Sequence, residues 1–71
     1  MEFTHHARNR LRRNRWFPGD AIAIVLDPVK VDADECCNPR YLGYIRDELV
    51  RVVVAADDPN LVITVHPRRH L

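Results

Sequence analysis

The residues with the clearest chemical potential lie in the second half of this chain. His66 closes an apolar run, Leu61-Val62-Ile63-Thr64-Val65-His66, and a second run, Leu49 to Ala56, precedes it across Asp57-Asp58-Pro59-Asn60. Runs this rich in β-branched residues read as strands, and so short a connection makes them antiparallel. With a four-residue turn, Ala56 faces Leu61, and Arg51 then lies opposite His66, Val53 opposite Thr64, and Leu49 opposite Arg68. A preceding turn at Asp47-Glu48 would set Tyr44 opposite Arg51. The expected result is a row Tyr44–Arg51–His66 across one face, with Arg46 and Arg68 beside it.

That row has the parts a metal-free phosphodiester cleavage needs. RNA supplies its own nucleophile, the 2′-OH. The protein must supply a proton acceptor, a proton donor and fixed positive charge on the phosphoryl oxygens. His66 titrates near neutrality and suits either proton role. Arg51 and Arg68 can clamp phosphate, and Tyr44 can stack a base or position a hydroxyl. The same residue types are also ordinary on the solvent side of an antiparallel sheet. A second cluster sits near the start of the chain. His6, Arg10 and Arg13 fall on one side of a helix and could extend a phosphate track or orient a sheet residue.

Charge supports an anionic partner only when it is resolved along the chain. The net charge is +1, but residues 1–19 carry +4, residues 20–58 carry −5 and residues 59–71, with Arg68 and Arg69, carry +2. Ten of the eleven basic residues are arginine, whose planar fork matches phosphate. Cys36 and Cys37 are adjacent, so a cross-link would close almost no loop, and the C-x-x-C spacing of a zinc knuckle is absent. No metal and no cofactor are expected. There is no Gly-rich phosphate loop, and 71 residues are too few for a deep small-molecule cavity. The longest apolar run has six residues and no apolar stretch follows the basic start, so neither a membrane span nor a secretory signal is expected. The expected compartment is the cytoplasm.

These residues need a scaffold, and the periodicity supplies one. Thr4 suits the N-cap of a helix running to about Arg15, with Phe3, Ala7 and Leu11 as its apolar stripe. Pro18 and Asp20 open a second helix that Asp27-Pro28 ends. Strands are expected from Val29-Lys30-Val31, from Tyr41 to Ile45, and over the two runs above, with an acidic loop from Asp32 to Pro39. The expected fold is a single α+β domain over residues 1–71, with two N-terminal helices packed on one face of a three- to four-stranded antiparallel sheet. Val50, Val52, Val54, Leu61, Ile63 and Val65 would form the covered face.

Phe3-Thr4-His5-His6-Ala7-Arg8-Asn9-Arg10-Leu11 resembles the His-Ala-x-x-Arg-Met opening of a family of small uncharacterised bacterial domains. Leu26-Asp27-Pro28 is similar to that family's Leu-x-Asn-Pro helix end. Val62-Ile63-Thr64-Val65-His66-Pro67 is similar to its closing Val-Ile-Thr-Val-Tyr-Pro strand. The family looks like a trimmed relative of the RelE/BrnT-type toxins of toxin–antitoxin systems. The resemblance spans about Phe3 to Pro67 and implies metal-independent cleavage of mRNA, often on the ribosome, with silencing by a cognate antitoxin. His6 and Arg10 match the opening motif, and His66 takes the place of the usual Tyr. Where the family carries Arg-Gly-Ile between its helices, this chain has Asn14-Arg15-Trp16.

The leading reading is therefore a toxin-like, metal-independent endoribonuclease. Its candidate catalytic residues are His66, Arg51, Tyr44 and His6, and its candidate RNA-binding residues are Arg10, Arg13, Arg46, Arg68 and Arg69. Expected partners are RNA, including ribosome-bound mRNA, an antitoxin protein, and a second copy as a further option. The alternatives are a non-catalytic RNA- or ribosome-binding module, or a protein-interaction domain anchored by Trp16, Phe17 and Tyr41.

Overall fold

The computed structural model describes residues 1–68. It is α+β, in the order β1 (Glu2–Phe3), α1 (His5–Arg13), α2 (Pro18–Leu26), β2 (Lys30–Ala33), β3 (Pro39–Ile45), β4 (Glu48–Ala55) and β5 (Asp58–Pro67). The five strands form one sheet, β1-β5-β4-β3-β2. Two features depart from the expected antiparallel meander. A two-residue strand precedes the helices, and it runs parallel to β5, pairing Glu2 with Leu61 and Phe3 with Val62, so the sheet is mixed. A strand this short has no periodicity to read.

Both helices begin where their sequence signals stand and α2 ends before Asp27-Pro28 as expected, whereas α1 ends at Arg13, short of the expected Arg15. Thr4 caps α1 by accepting from the Ala7 N–H at 3.1 Å. At the other end, Arg15 adopts φ 60°. The Trp16 N–H then returns to the Leu11 carbonyl at 2.9 Å and the Arg15 N–H to Arg12 at 3.2 Å. This is a left-handed helix stop of the kind glycine favours, made here with arginine. It swings Trp16 into the core, where it is buried against Leu11 and Ala21 in the same cluster. At α2, Pro18 takes the first turn, and the Asp20 carboxylate accepts from the Phe17 N–H at 2.8 Å.

The core lies between the helices and one sheet face. Ala7, Leu11, Trp16, Ala21 and Ile24 meet Ile45, Val50, Val52, Val54, Val62 and Val65, with Phe3, Val25 and Tyr41 at the margin. Gly43 lets α2 come close: a Cβ there would stand 2.9 Å from Ile24 Cγ1.

The hairpins set the register, and both differ from expectation in their turns. β3 and β4 join through Arg46-Asp47, both at positive φ (48° and 69°), which gives a two-residue turn and places Ile45 opposite Glu48. β4 and β5 join at Ala56-Asp57, with Ala55 opposite Asp58, not at Asp57–Asn60. The Asp58-Pro59-Asn60 segment keeps its turn chemistry, Asn60 N–H to Asp58 Oδ1 at 3.0 Å, but lies within the irregular start of β5. A bulge follows: Val53 faces Thr64 whereas Val54 faces Val62, leaving Ile63 as the extra residue. Val62 therefore fills the core in place of Ile63 and Leu61. The Ile63 carbonyl accepts from the Thr4 hydroxyl at 2.6 Å, and the Thr4 N–H reaches the Val62 carbonyl at 3.0 Å.

Thr4 thus caps a helix and anchors it to the bulge with one hydroxyl. Thr4→Val, which keeps the shape and removes both bonds, should cost about 1–3 kcal/mol in urea unfolding, and Thr4→Ser should recover most of it. Gly43→Ala should cost about 1–3 kcal/mol through overpacking. The loss in Gly43→Ala/Ile24→Ala should be smaller than the sum of the single losses, because the second change removes the clash.

Candidate functional site: a cationic rear face

The sheet face turned away from the helices is organised in three rows. The first is Tyr44–Leu49 with Arg68, whose N–H bonds the Leu49 carbonyl at 2.8 Å. The second is Lys30–Leu42–Arg51–His66, and the third is Asp32–Arg40–Val53–Thr64. Cross-strand neighbours in such rows have Cβ atoms roughly 4.5–5.5 Å apart, so their side chains interact directly. Lys30, Asp32, Arg40, Leu42, Arg51 and Arg68 line a hollow of about 130 Å³. Leu42 is only 4% exposed although it faces rearward, because the surrounding Lys and Arg stems cover it.

The electrostatics of this face are one-sided. The carboxylate that lines this hollow, Asp32, is already engaged by Arg40 in a two-point pair, Nε–Oδ1 2.8 Å and Nη2–Oδ2 2.9 Å. That hydrogen bonding holds the Asp32 carboxyl below its usual range and the Arg40 guanidinium above its own. Arg51 is half-buried. Burial, then the charges of Arg40 and Arg68, pull its pKa down, yet a guanidinium stays protonated. The Nε of Arg68 is buried and has no acceptor among the described residues. A buried donor left unpaired costs about 1–3 kcal/mol.

His66 is half-buried at the end of the second row. Burial chiefly, then the charges of Arg51, Arg10 and Arg68, lower its pKa, against an opposing contribution from the Pro67 backbone. At neutral pH it is an uncharged imidazole beside fixed cations, and can accept a proton.

The expected pairs Arg51–His66, Val53–Thr64 and Leu49–Arg68 are all present. Three expected site residues fall elsewhere. Tyr44 shares the face and is 56% exposed, but it stands opposite Leu49, because the two-residue turn at Arg46-Asp47 brings Leu42 to Arg51. Arg46 belongs to that turn and serves the helices: its Nη2 donates to the Arg15 carbonyl at 2.7 Å and its Nη1 lies 3.6 Å from Asp20 Oδ2. His6 is exposed on α1, in the helical layer across the sheet, and is not among the groups whose charge bears on His66. Arg10 does bear on it, whereas Arg13 is exposed on α1. Arg69 lies outside the described residues.

Sequence reasoning missed Lys30 and Arg40 as members of the face. The strand holding Lys30 was legible, but its pairing with β3 was not, since the acidic loop hid the end of β2 and the start of β3. That loop is a hairpin connection. Asp34 accepts from the Cys36 and Asn38 N–H groups at 2.9 Å each, and Cys37 takes φ 65°. Both cysteines are exposed and free. No group of three or more His, Cys, Asp or Glu residues among those described could hold a metal ion. No helix among the described residues is long and apolar enough to cross a membrane. Of the suggested protein anchors, Trp16 is buried, Tyr41 is half-buried at the core, and Phe17 is 69% exposed.

Comparison with family models, with curated proteins and with solved structures finds no match to this chain. The likeness to RelE/BrnT-type toxins thus rests on the sequence motifs alone.

The lowered pKa of His66 has a measurable consequence. The unfolded chain takes up this proton near 6.5, the folded chain only at lower pH. Stability should therefore be full above pH 6.5 and fall as pH drops through the folded value. His66→Gln should flatten that segment of the curve. Asp32 and Asp34, held below 3.8, act only at more acidic pH. An NMR titration should place the His66 midpoint below 6.5.

Proposed function

We propose that this protein grips the sugar–phosphate backbone of RNA on its rear face and cleaves it without metal, in the manner of a toxin-like endoribonuclease. The observation that carries the reading is the second row together with Arg68: two half-buried guanidinium groups, one of them with an unpaired buried nitrogen, flank an uncharged imidazole. Arg51 and Arg68 hold the non-bridging phosphate oxygens. His66 takes the 2′-OH proton, the 2′-oxygen attacks phosphorus, and the 5′-oxygen leaves and takes a proton from water. The products are a 2′,3′-cyclic phosphate and a 5′-hydroxyl end, and the imidazolium returns its proton to solvent. Tyr44, exposed at the end of the first row, offers a ring on which a neighbouring base can stack. In the toxin reading, an antitoxin would silence the protein by covering this face with acidic side chains.

The second reading is RNA binding without cleavage, and it draws on the same face. Among the described residues of the rear face, His66 is an evident base with no matching acid beside it.

Both readings are tested with one oligonucleotide. Affinity for a single-stranded RNA should fall steeply with salt, and Arg51→Ala or Arg68→Ala should each reduce the log–log slope by about 0.7 for every phosphate the variant no longer neutralises. Cleavage in EDTA should leave cyclic-phosphate ends and should drop about 10²- to 10⁴-fold in His66→Gln with binding retained. Binding without cleavage selects the second reading. Salt-insensitive behaviour with no RNA affinity contradicts both.

A further inference from the structure

The outer edge of β2 has no neighbouring strand among the described residues. β2 is an edge strand, bonded to β3 on one side only, and all four of its residues are exposed. Its hydrogen-bonding phase is fixed by the Asp34 N–H to Asn38 carbonyl bond at 3.1 Å, which closes the β2–β3 hairpin. Alternation from that bond turns the backbone groups of Asp32 and Lys30 toward β3 and those of Val31 and Ala33 outward. An exposed edge of this kind is a template for another strand.

We propose that a second copy of this chain is that strand, in an antiparallel dimer with its twofold axis at Val31. Setting Val31 against the partner's Val31 matches the outward phase: each Val31 N–H meets the other Val31 carbonyl, and each Ala33 N–H reaches the partner's Val29 carbonyl. The Val29 N–H takes no part, because it turns back to the Leu42 carbonyl at 2.7 Å. The same register puts Lys30 opposite the partner's Asp32, and Asp32 opposite the partner's Lys30, so the rear-face charges are complementary in both directions. On the helical side, Val31 (52% exposed) meets its counterpart. One shift of register would oppose Lys30 to Val31 and forfeit both the charge and the apolar matches. An unrelated partner strand would have no reason to fit both the charge order and the apolar order of Val29-Lys30-Val31-Asp32-Ala33.

The dimer also lengthens the rear face. The row His66–Arg51–Leu42–Lys30 runs on into the partner's Asp32 and the partner's Arg40, giving a continuous sheet with a cationic row on each side of the axis. The assembly itself does not depend on the RNA reading, and it is measured without RNA.

The test is sedimentation equilibrium of the whole chain at about 100 µM, a range suited to an interface this small. The wild type should show a species of twice the 8.3 kDa chain mass. Val31→Pro removes an outward N–H that the fold does not use, and should weaken association at least tenfold. Lys30→Asp alone and Asp32→Lys alone set like charges opposite each other and should also be monomeric, whereas an equimolar mixture of the two should dimerise. This charge pair decides the matter whatever Val31→Pro does to folding. A wild type that is monomeric at this concentration overturns the proposal. So does a dimer that survives both single charge reversals, which would place assembly elsewhere, as on the exposed Phe17 surface.

Discussion

One carbonyl and one hydroxyl hold the two layers of this protein in register. The bulge at Ile63 removes that residue from the β4–β5 ladder, and the Thr4 hydroxyl takes up its freed carbonyl while capping α1. A bulge reverses which side of a strand faces inward. Without it, a β5 in step with β4 at Arg51–His66 would offer Leu61 and Ile63 to the helices, with Val62 turned to the rear. With it, Val62 and Val65 both reach the core while Thr64 and His66 stay behind. Helix start, core composition and rear-face chemistry are therefore consequences of the same local arrangement.

The rear face follows from this constraint in electrostatic terms. Five basic side chains, counting His66, converge on a surface where the nearby carboxylate, Asp32, is committed to Arg40. Their mutual repulsion is tolerable because the long stems cover Leu42 and keep the charged ends near solvent. Burial first, and this crowding second, make His66 reluctant to take a proton, and hence uncharged at neutral pH. An anionic ligand would relieve the repulsion, satisfy Arg68 and raise the proton affinity of His66 together. Under the proposed function, binding of phosphate and proton transfer to His66 would therefore be coupled.

Much of this was legible in the residues, and the failures have physical causes. Both helix starts and the end of α2 could be read because Thr4, Pro18, Asp20 and Pro28 each act locally; the end of α1 could not, because its left-handed stop is made by Arg15. The pairing of Arg51 with His66 was reached with the wrong turn. The two-residue turn at Ala56-Asp57 and the irregular segment Pro59–Leu61, followed by the bulge, together restore the register a four-residue turn would have set. At Arg46-Asp47 no such compensation occurs, so Tyr44 is displaced from Arg51. A turn with two left-handed residues is signalled by Asn-Gly, and neither residue is there. Arg46 reads as a cation available to a ligand, whereas Arg15, forced into the left-handed region at the helix stop, presents the carbonyl that occupies it. β1 was hidden because two residues carry no pattern, and its parallel pairing is a product of the tertiary fold.

In the proposed function the rear face, and not the arginine-rich outside of α1, receives the phosphate backbone. Titration of the isotopically labelled protein with a short single-stranded RNA at low salt, followed by backbone and imidazole NMR shifts, tests it most directly. Perturbations should concentrate at Lys30, Leu42, Arg51, His66 and Arg68. Arg8 and Arg12 should stay unmoved. Shifts confined to α1, or none at all, would contradict it.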